Sequence, residues 1–440
     1  MVDGDTIYAL STAPGRAGIA VVRASGPGAA AALEILAGAV PRPRRASRAR
    51  LRDPVSGEAI DDGLVLFFPA PASVTGEDVV EFHIHGGRAV LAGLFEALAH
   101  APGLRLAEPG EFTRRGFLNF KLDLTAAEGL ADLIAAETAA QRRQALRQLD
   151  GGFGRLAEGW RGRLLDAEAR LEAAIDFPEE DLPSGLWQRA RDEAVALARE
   201  IAAHLDDGRR GERLRDGVSV AIVGPPNVGK SSLMNALARR DVAITAATAG
   251  TTRDVIEVAL DIAGYPVLLA DTAGLRATSD EIEEEGVRRA RQRAAHADLK
   301  LVLIDAGNSE DDAALAGLVD ENAIVIANKI DLLPPGAARP AVGLPLSVKT
   351  GEGMEALLAR LGAAVAAWLD GGAAPLVTRA RHREALTECC AALERFIVAP
   401  LPELAAEDLR GAARALGRIT GRVDVEDMLD RLFAEFCIGK

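Results

Sequence analysis

A glycine-rich run in the middle of the chain carries the clearest chemistry. Residues 224–231 read Gly-Pro-Pro-Asn-Val-Gly-Lys-Ser, with two glycines spaced so that backbone N–H groups can turn inward around a phosphate chain. Lys230 is placed to reach the outer phosphates, and the Ser231 hydroxyl is suited to ligating Mg²⁺. The apolar run 218–223 predicts a buried strand before the loop, and residues 231–240 predict a helix after it. The loop residues of this predicted nucleotide-phosphate site are Gly224, Asn227, Gly229, Lys230, Ser231 and Ser232.

A second group of motifs is suited to recognising a guanine base. Asn328-Lys329-Ile330-Asp331 follows an apolar stretch that predicts a strand. The Asp331 carboxylate can accept hydrogen bonds from guanine N1–H and from the exocyclic amine, and adenine presents neither donor in that geometry. Ser347-Val348-Lys349 is placed to support the base from its backbone. The residues predicted to hold the base are Asn328, Lys329, Asp331, Ser347 and Lys349.

Two segments between these motifs indicate a magnesium-dependent GTPase. Asp271-Thr-Ala-Gly274 ends a predicted strand, where Asp271 is placed to hold Mg²⁺ through water and the Gly274 N–H to reach the γ-phosphate. Gly250-Thr-Thr-Arg-Asp254 lies where a second hydroxyl reaches Mg²⁺. Leu275 occupies the position at which Ras-like enzymes place the glutamine that orients water, so another group must orient it. Residues 279–285 offer several carboxylates for this role, although an acidic helix start explains them equally well.

Length and composition are those of a soluble protein with several domains. The 440 residues exceed what one core holds, and no run of about eighteen apolar residues is present to span a membrane. The acidic stretch 1–5 is unlike a signal peptide. The three cysteines, two of them adjacent, form neither a disulfide framework nor a zinc-binding spacing. We therefore expect a cytoplasmic protein.

Charge is distributed unevenly along the chain. The net charge of −14 argues against a general binder of polyanions, yet residues 42–52 carry six arginines and no acid. This segment is explained either by a solvated loop or by a nucleic-acid contact. His83 and His85 lie two apart in a predicted strand, and without a third ligand they indicate structure rather than a metal site.

The periodicity of the sequence changes at the borders of four segments. We expect a multidomain α/β and α protein, in which a Ras-like P-loop domain of doubly wound type is inserted into a discontinuous helical domain. Thr125-Ala-Ala-Glu128 predicts a capping box that opens one long helix, and Gly151-Gly152 ends it. The expected domains are an α+β module at 1–118, a first helical part at 119–215, the inserted domain at 216–373 and a second helical part at 374–440.

Taken together, these motifs resemble the MnmE (TrmE) family of tRNA-modification GTPases over essentially the whole chain. The resemblance rests on Asn227 in the phosphate loop, on Gly250–Asp254, on the helical segments around the inserted domain and on the terminal Cys437-Ile-Gly-Lys440. Further stretches that support it are Pro14–Arg16, Arg23–Gly26, Thr75–Asp78, Glu81 with His85–Gly87, Pro109–Phe112, Phe117–Asn119 and Lys121–Asp123.

The resemblance implies a folate-dependent modification of tRNA. Members of the family dimerise through the N-terminal domain, bind a 5-formyl- or methylene-tetrahydrofolate there, and work with the flavoprotein MnmG in a heterotetramer. The folate supplies a one-carbon unit for a carboxymethylaminomethyl or aminomethyl group on carbon 5 of wobble uridine. Phe120 departs from the family, which usually has glycine at this position. The folate contacts fall on Arg23, Glu81, Lys121 and Lys440.

For the GTPase domain the resemblance implies hydrolysis that depends on Mg²⁺ and K⁺. Ser231 and Thr252 match the Mg²⁺ ligands, and Glu283 matches the carboxylate that orients water. Asn227 and the loop 246–251 match the K⁺ site. Cys437 is either a nucleophile or a small packing residue. The loop positions expected at K⁺ are Ala246, Thr248 and Thr251, of which the first two differ from the usual family residues.

A second hypothesis is a switch GTPase that acts in ribosome assembly and catalyses no modification. The GTPase motifs alone fit both hypotheses. The terminal Cys437–Lys440 stretch and the folate-like N-terminal module favour tRNA modification, because a switch needs neither.

Overall fold

The computed structural model describes residues 4–176, 185–240, 242–244, 257–271, 297–308, 319–334, 342–369, 376–423, 426–434, 436 and 438–439. The chain divides into two compact units. Unit 1 comprises Met1–Ala131, Gly154–Arg161 and Leu416–Lys440, and unit 2 comprises Asp132–Phe153 and Gly162–Ala415. The domain boundaries expected from the sequence stay a prediction.

Unit 1 is built on one six-stranded sheet. Its strands are β1 (Thr6–Leu10), β2 (Ala17–Ser25), β3 (Ser47–Arg52), β4 (Ala59–Phe68), β5 (Val79–Gly86) and β6 (Leu104–Leu106). They are ordered β3-β4-β5-β2-β1-β6, so β3 forms one edge. Neighbours pair antiparallel except β6, which lies parallel to β1.

The two faces of this sheet differ because side chains alternate along each strand. Helices α1 (Ala29–Ala37) and α2 (Arg88–Ala99) share one apolar cluster with Val22 and Phe82 and so cover one face. Arg23 follows Val22 in β2 and Glu81 precedes Phe82 in β5, so both side chains lie on the opposite face. The sheet thus places two charged side chains side by side, away from the main core.

The end of the chain packs on the same unit. Helix α3 (Glu111–Leu118) and helix α4 (Leu124–Ala135) follow the sheet, and the C-terminal helix Glu426–Ala434 shares an apolar cluster with the start of α4. Beyond this helix, Ile438 forms an antiparallel bridge with Pro109. The chain end is therefore tied to the folded unit.

Unit 2 contains the predicted α/β sheet. Its strands are β7 (Val218–Val223), β8 (Glu257–Ile262), β9 (Tyr265–Asp271), β10 (Leu299–Asp305), β11 (Ala323–Asn328) and β12 (Leu344–Pro345). They are ordered β12-β11-β10-β7-β9-β8, with β8 antiparallel and the others parallel. Alternate residues of β7 and β10 belong to two separate apolar clusters, so both faces of the sheet are buried. This confirms the doubly wound arrangement.

Helices make up the rest of unit 2. Residues 132–135 at the end of α4 belong to it, as does most of α6. Within the described residues the helices are α5 (Ala139–Leu149), α6 (Gly152–Asp176), α7 (Leu186–Leu205), α8 (Arg210–Asp216), α9 (Lys230–Ala238), α10 (Met354–Leu369), α11 (Ala380–Val398) and α12 (Pro402–Thr420). None of the helices described is long and apolar enough to cross a bilayer.

The prediction of a single long helix after Thr125 was wrong, because two helices, α4 and α5, occupy this segment. The Asp123 carboxylate accepts a hydrogen bond from the Ala126 N–H at 2.8 Å, so the helix begins before Thr125. The capping box lies at Thr138 instead, whose hydroxyl accepts from Gln141 N–H while the Gln141 amide oxygen accepts from Thr138 N–H. This pair starts a second helix, because it satisfies N–H groups that have no partner at a helix start.

Candidate functional site

The phosphate loop joins β7 to α9 with the backbone that its glycines permit. Gly224 has φ +150° and Gly229 has φ +106°, in the region where L side chains are strained. A Cβ on Gly224 would collide with the Leu303 carbonyl oxygen, and one on Gly229 with the Asn328 amide. Both glycines are therefore required for the loop to lie against the ends of β10 and β11. Such a cradle of inward backbone suits a phosphate chain.

Lys230 and the serines open helix α9 directly after the loop. The Lys230 ammonium donates to the carbonyl oxygens of Gly224 and Pro225 at 2.9 and 2.7 Å, so its charge lies against the loop. Ser231 and Ser232 are exposed in the first turn of the helix. A helix N-terminus favours anions, and the hydroxyls remain accessible to an ion. These residues fit a nucleotide phosphate with its Mg²⁺.

Asn328 ties the phosphate loop to the base-site loop. Its amide nitrogen donates to the Val228 carbonyl oxygen at 2.8 Å, and its amide oxygen accepts from the Val348 N–H at 3.2 Å. Asn328 is only 3% exposed, so its role is to hold two loops together at the end of β11. The sequence placed Asn328 at the base site without indicating this bridging role.

The predicted base-recognition residues lie around this bridge. The buried Ser347 hydroxyl donates to the Asp331 carboxylate at 2.7 Å, which fixes one oxygen of an otherwise exposed acid. Lys349 is exposed in the same loop. The structure thus brings these residues together as expected for a guanine site, with Asp331 open to solvent to accept N–H donors.

Lys329 has a partner that the sequence did not indicate. Its ammonium donates to Asp305 Oδ2 at 2.8 Å, at the end of the neighbouring strand β10. Burial raises the pKa of Asp305, but hydrogen bonds from the Lys329 ammonium and the Gly307 N–H, together with the charge of Lys329, hold that pKa below its ordinary value. Asp305 and Lys329 are therefore an ion pair at neutral pH.

Several predicted site residues lie outside the described residues. Asp271 ends β9 with its backbone beside Ile222 of β7, close to the start of the phosphate loop. The predicted positions on which the structure gives no geometry are Ala246, Thr248, Thr251, Thr252, Gly274, Glu283, Cys437 and Lys440.

A second candidate site lies on the open face of the sheet in unit 1. Arg23 donates from Nε at 3.1 Å and from its terminal nitrogen at 2.8 Å, both to Glu81 Oε1. The His83 ring contacts the other oxygen, Oε2, at 3.2 Å. Phe112 lies beneath the guanidinium, with 5.8 Å between the guanidinium carbon and the ring centroid. Two of the predicted folate residues are thus in direct contact.

His83 and Phe112 were not predicted at this site. His83 lies two residues from Glu81 on the same strand face, which was the only signal in the sequence. Burial raises the pKa of Glu81, but hydrogen bonds and charge from Arg23 and His83 hold it below its ordinary value. His85 contacts Asp61 instead, and the described residues contain no cluster of metal ligands.

Lys121 lies on a neighbouring loop. Its ammonium donates to the Pro71 carbonyl oxygen at 2.8 Å, and among the described residues it makes no hydrogen bond to Arg23 or Glu81. Phe120 before it is 86% exposed and has φ +56°, a left-handed conformation that glycine adopts without strain. Phenylalanine therefore keeps the backbone turn at this position, at some cost in strain.

The C-terminal tail lies beside the strand that neighbours Arg23. Ser11 Oγ donates to the Gly439 carbonyl oxygen at 3.1 Å, and a Cβ on Gly439 would collide with the Leu10 carbonyl oxygen. In the register of the sheet, Leu10 is paired with Val22, next to Arg23. Gly439 therefore contacts Leu10, a residue of β1 that lies one register step from Arg23.

Comparison with known proteins assigns both parts of the chain. The model of the TrmE N-terminus matches residues 6–121, and the model of the MnmE helical domain matches residues 124–437. A curated tRNA modification GTPase MnmE of Rhodospirillum rubrum is 59% identical, over 99% of this chain and 99% of its own. That of Parvibaculum lavamentivorans is also 59% identical, over 99% of this chain and all of its own.

Solved structures resemble a part of the chain. The G domain of the FeoB iron transporter of T. maritima is 26% identical and covers 34% of this chain, with a TM-score of 0.25. Era in complex with MgGDPNP and 16S ribosomal RNA is 22% identical over 50% of this chain, with a TM-score of 0.27. Scores this low carry no argument about function. The family models and the relatives matched over their whole length show that the chain belongs to the MnmE (TrmE) family of tRNA modification GTPases.

Proposed function

We propose that this GTPase is activated by K⁺ and, with a flavoprotein partner of the MnmG kind, modifies carbon 5 of wobble uridine in tRNA. The group installed is carboxymethylaminomethyl or aminomethyl, and a tetrahydrofolate supplies its one-carbon unit. The observation that carries this proposal is the contact of Arg23 with Glu81 in the N-terminal unit of a tRNA modification GTPase. We further propose a cytoplasmic homodimer that assembles with the partner into a heterotetramer.

The chemistry of the Arg23–Glu81 pair suits a reduced folate. The carboxylate has acceptor capacity beyond its contacts with Arg23 and His83, and the pterin ring offers N–H donors in a guanine-like row. Glu81 is ionised at neutral pH because its pKa lies below the ordinary value. Lys121 and Lys440 are cations suited to the glutamate tail of a folate.

In the GTPase domain the phosphate cradle supports the residue roles proposed for nucleotide and metal. Ser231, Thr252 and Asp271 would hold Mg²⁺, which neutralises phosphate charge when bound. Asn227 is exposed in the phosphate loop, where its amide oxygen is available to a hard cation such as K⁺. Carbonyl oxygens of residues 246–251, including Ala246, Thr248 and Thr251, would complete the K⁺ shell. Glu283 would orient the attacking water.

Cys437 is proposed either to react covalently or to position the chain end. Gly439, two residues further along the chain, contacts Leu10 of β1, which is paired with Val22 beside Arg23. Replacing Cys437 with serine keeps the size and weakens the nucleophile. Full modification activity of Cys437→Ser would exclude covalent catalysis by this thiol.

Nucleoside analysis of tRNA from a deletion strain tests the proposed function. We expect wobble uridines that lack the carbon 5 group. Expression of the wild-type chain should restore the modification, and expression of the double variant Arg23→Ala, Glu81→Ala should not. Wobble uridines that stay fully modified in the deletion strain would contradict the proposal and favour a switch GTPase in ribosome assembly.

A further inference from the structure

Six arginines in residues 42–52 form an exposed basic surface on unit 1, here named the arginine ribbon. Every one of their side chains is exposed. The second half of the ribbon lies in β3, the edge strand of the sheet. There Arg48 and Arg50 alternate with Ala49 and the fully buried Leu51, so the arginines share the solvent side. The ribbon consists of Arg42, Arg44, Arg45, Arg48, Arg50 and Arg52.

Most of this positive charge has no carboxylate beside it. Arg48 and Arg50 share a single acid, Asp62, at 2.7 and 3.3 Å. Arg42 and Arg45 make no ion pair with any carboxylate in the described residues. Over residues 42–62 the six arginines face four acids, in a chain whose net charge is −14. The ribbon is therefore a local positive surface on an acidic protein.

The ribbon is continuous with the Arg23–Glu81 pair through the sheet. Arg48 lies opposite Leu64, and Leu64 lies opposite His83, whose ring contacts Glu81. Neighbouring strands are about 4.8 Å apart, so β3 is roughly 10 Å from β5. All of these side chains lie on the face of the sheet that α1 and α2 do not cover.

The first half of the ribbon lies close to Lys121 through contacts with the loop after β4. The Arg44 guanidinium donates to the Ala72 carbonyl oxygen and lies over the Phe68 ring, 5.8 Å from its centroid. The neighbouring carbonyl, that of Pro71, accepts the Lys121 ammonium at 2.8 Å. Two cations thus contact adjacent peptide groups. The ribbon continues from there along β3, away from Lys121.

We propose that the arginine ribbon binds the phosphodiester backbone of the tRNA whose wobble uridine is modified, which rests on the proposed function. Guanidinium groups bind phosphate oxygens in a bidentate manner. Alternate residues of a strand are about 6.8 Å apart, so β3 presents successive cations to an extended polyanion. The glutamate tail of a folate needs only the cations near Lys121, and the length of the ribbon favours the longer polyanion.

The test uses the full-length chain and an unmodified tRNA transcript with a wobble uridine. Fluorescence anisotropy in a KCl series compares the wild type with the triple variant Arg42→Ala, Arg45→Ala, Arg50→Ala, which keeps the Arg48–Asp62 contact. We expect at least tenfold weaker binding at about 100 mM salt. The slope of log K against log salt should fall by about 2, since each lost phosphate contact removes roughly 0.7.

A matched control removes the same charge elsewhere. Arg142, Arg143 and Arg147 are exposed on α5, and their triple alanine variant should change tRNA affinity by less than twofold. Equal losses in both triples would overturn the proposal, because net charge alone would then explain them. The proposal is also overturned if the intact chain binds no tRNA. It is overturned too if the ribbon triple variant has a different mass by light scattering, or if that variant loses affinity for a polyglutamylated folate and not for tRNA.

Failure of the ribbon and failure of the proposed function give different results. Full tRNA affinity of the ribbon triple, together with unmodified wobble uridines in the deletion strain, would reject the ribbon and keep the function. Fully modified wobble uridines in the deletion strain would reject the function and, with it, the inference that rests on it.

Discussion

At the scale of single residues, replacing Arg23 gives the most direct test of the proposed folate site. Its guanidinium is 23% exposed and contacts Glu81, so it can donate to a ligand while it also fixes the carboxylate. We expect Arg23→Ala and Lys121→Ala each to weaken binding of 5-formyl-tetrahydrofolate by about 1.5–3 kcal/mol, the range for a lost charge-assisted hydrogen bond. Titration calorimetry on the full chain without nucleotide measures this difference.

The control for this experiment is Arg88→Ala. Arg88 is an exposed arginine at the start of α2, on the covered side of the sheet, and its loss should leave folate affinity unchanged. Unchanged affinity in both Arg23→Ala and Lys121→Ala would remove the folate assignment.

At the scale of secondary-structure elements, α3 is anchored by an ionic cluster in unit 1. Arg115 is 1% exposed and pairs with Asp5 and Glu111, and Arg105 pairs with the same two acids. Burial raises the pKa of Glu111, but its hydrogen bonds, first from Arg105, hold that pKa below the ordinary value. The pKa of Asp5 is lowered in the same way against burial, by Arg105 and Arg115.

This cluster predicts acid sensitivity of unit 1. A carboxyl whose folded pKa is depressed stabilises the fold fully above its unfolded pKa, which is about 4.5 for Glu, and loses that contribution as pH falls through the folded value. Glu111→Gln should therefore lower stability at pH 7 by about 1–3 kcal/mol and make it depend less on pH below 4.5. Thermal unfolding from pH 7 to 3 measures this, with the exposed Glu58→Gln as control. Parallel pH curves for wild type and variant would contradict the prediction.

In unit 2, Asp132 holds the two ends of the inserted α/β domain. It accepts from Arg215 at 3.1 Å, just before β7, and from Arg379 at 2.7 Å, just before α11. Asp132→Asn should weaken both contacts and speed amide hydrogen exchange in residues 210–216 and 376–383 by about tenfold, because charged hydrogen bonds contribute about 1.5–3 kcal/mol. Glu137→Gln removes an exposed acid after the same helix and should have no effect. Equal exchange in Asp132→Asn and wild type would disprove the role of Asp132.

At the scale of the whole molecule, the features that could be predicted from the sequence are those encoded locally. The phosphate loop, the strand before it and the helix after it follow from glycine positions and apolar runs, and the strand and helix lie within two residues of their predicted bounds. The break at Thr138 was missed because the apolar pattern continues across it. His83 against Glu81, and Lys329 against Asp305, depend on side-chain packing and on register between strands, which no local pattern specifies.

At the GTPase site, the proposed K⁺ is the charge that lowers the barrier to GTP cleavage. Hydrolysis needs positive charge beside the phosphates as negative charge develops, and K⁺ at Asn227 would supply it in place of an arginine. We expect turnover to be stimulated strongly by K⁺ and poorly by Na⁺, whose smaller radius does not span the same ligands. Because Asn227 has φ +60°, alanine there adds strain that glycine does not, so Asn227→Ala and Asn227→Gly together separate strain from the lost amide. Both should lose the K⁺ response and still bind GTP, whereas Glu283→Ala should slow hydrolysis while K⁺ still stimulates it. Phosphate release in KCl and NaCl at matched ionic strength decides this, and equal turnover in the two salts would refute the K⁺ mechanism.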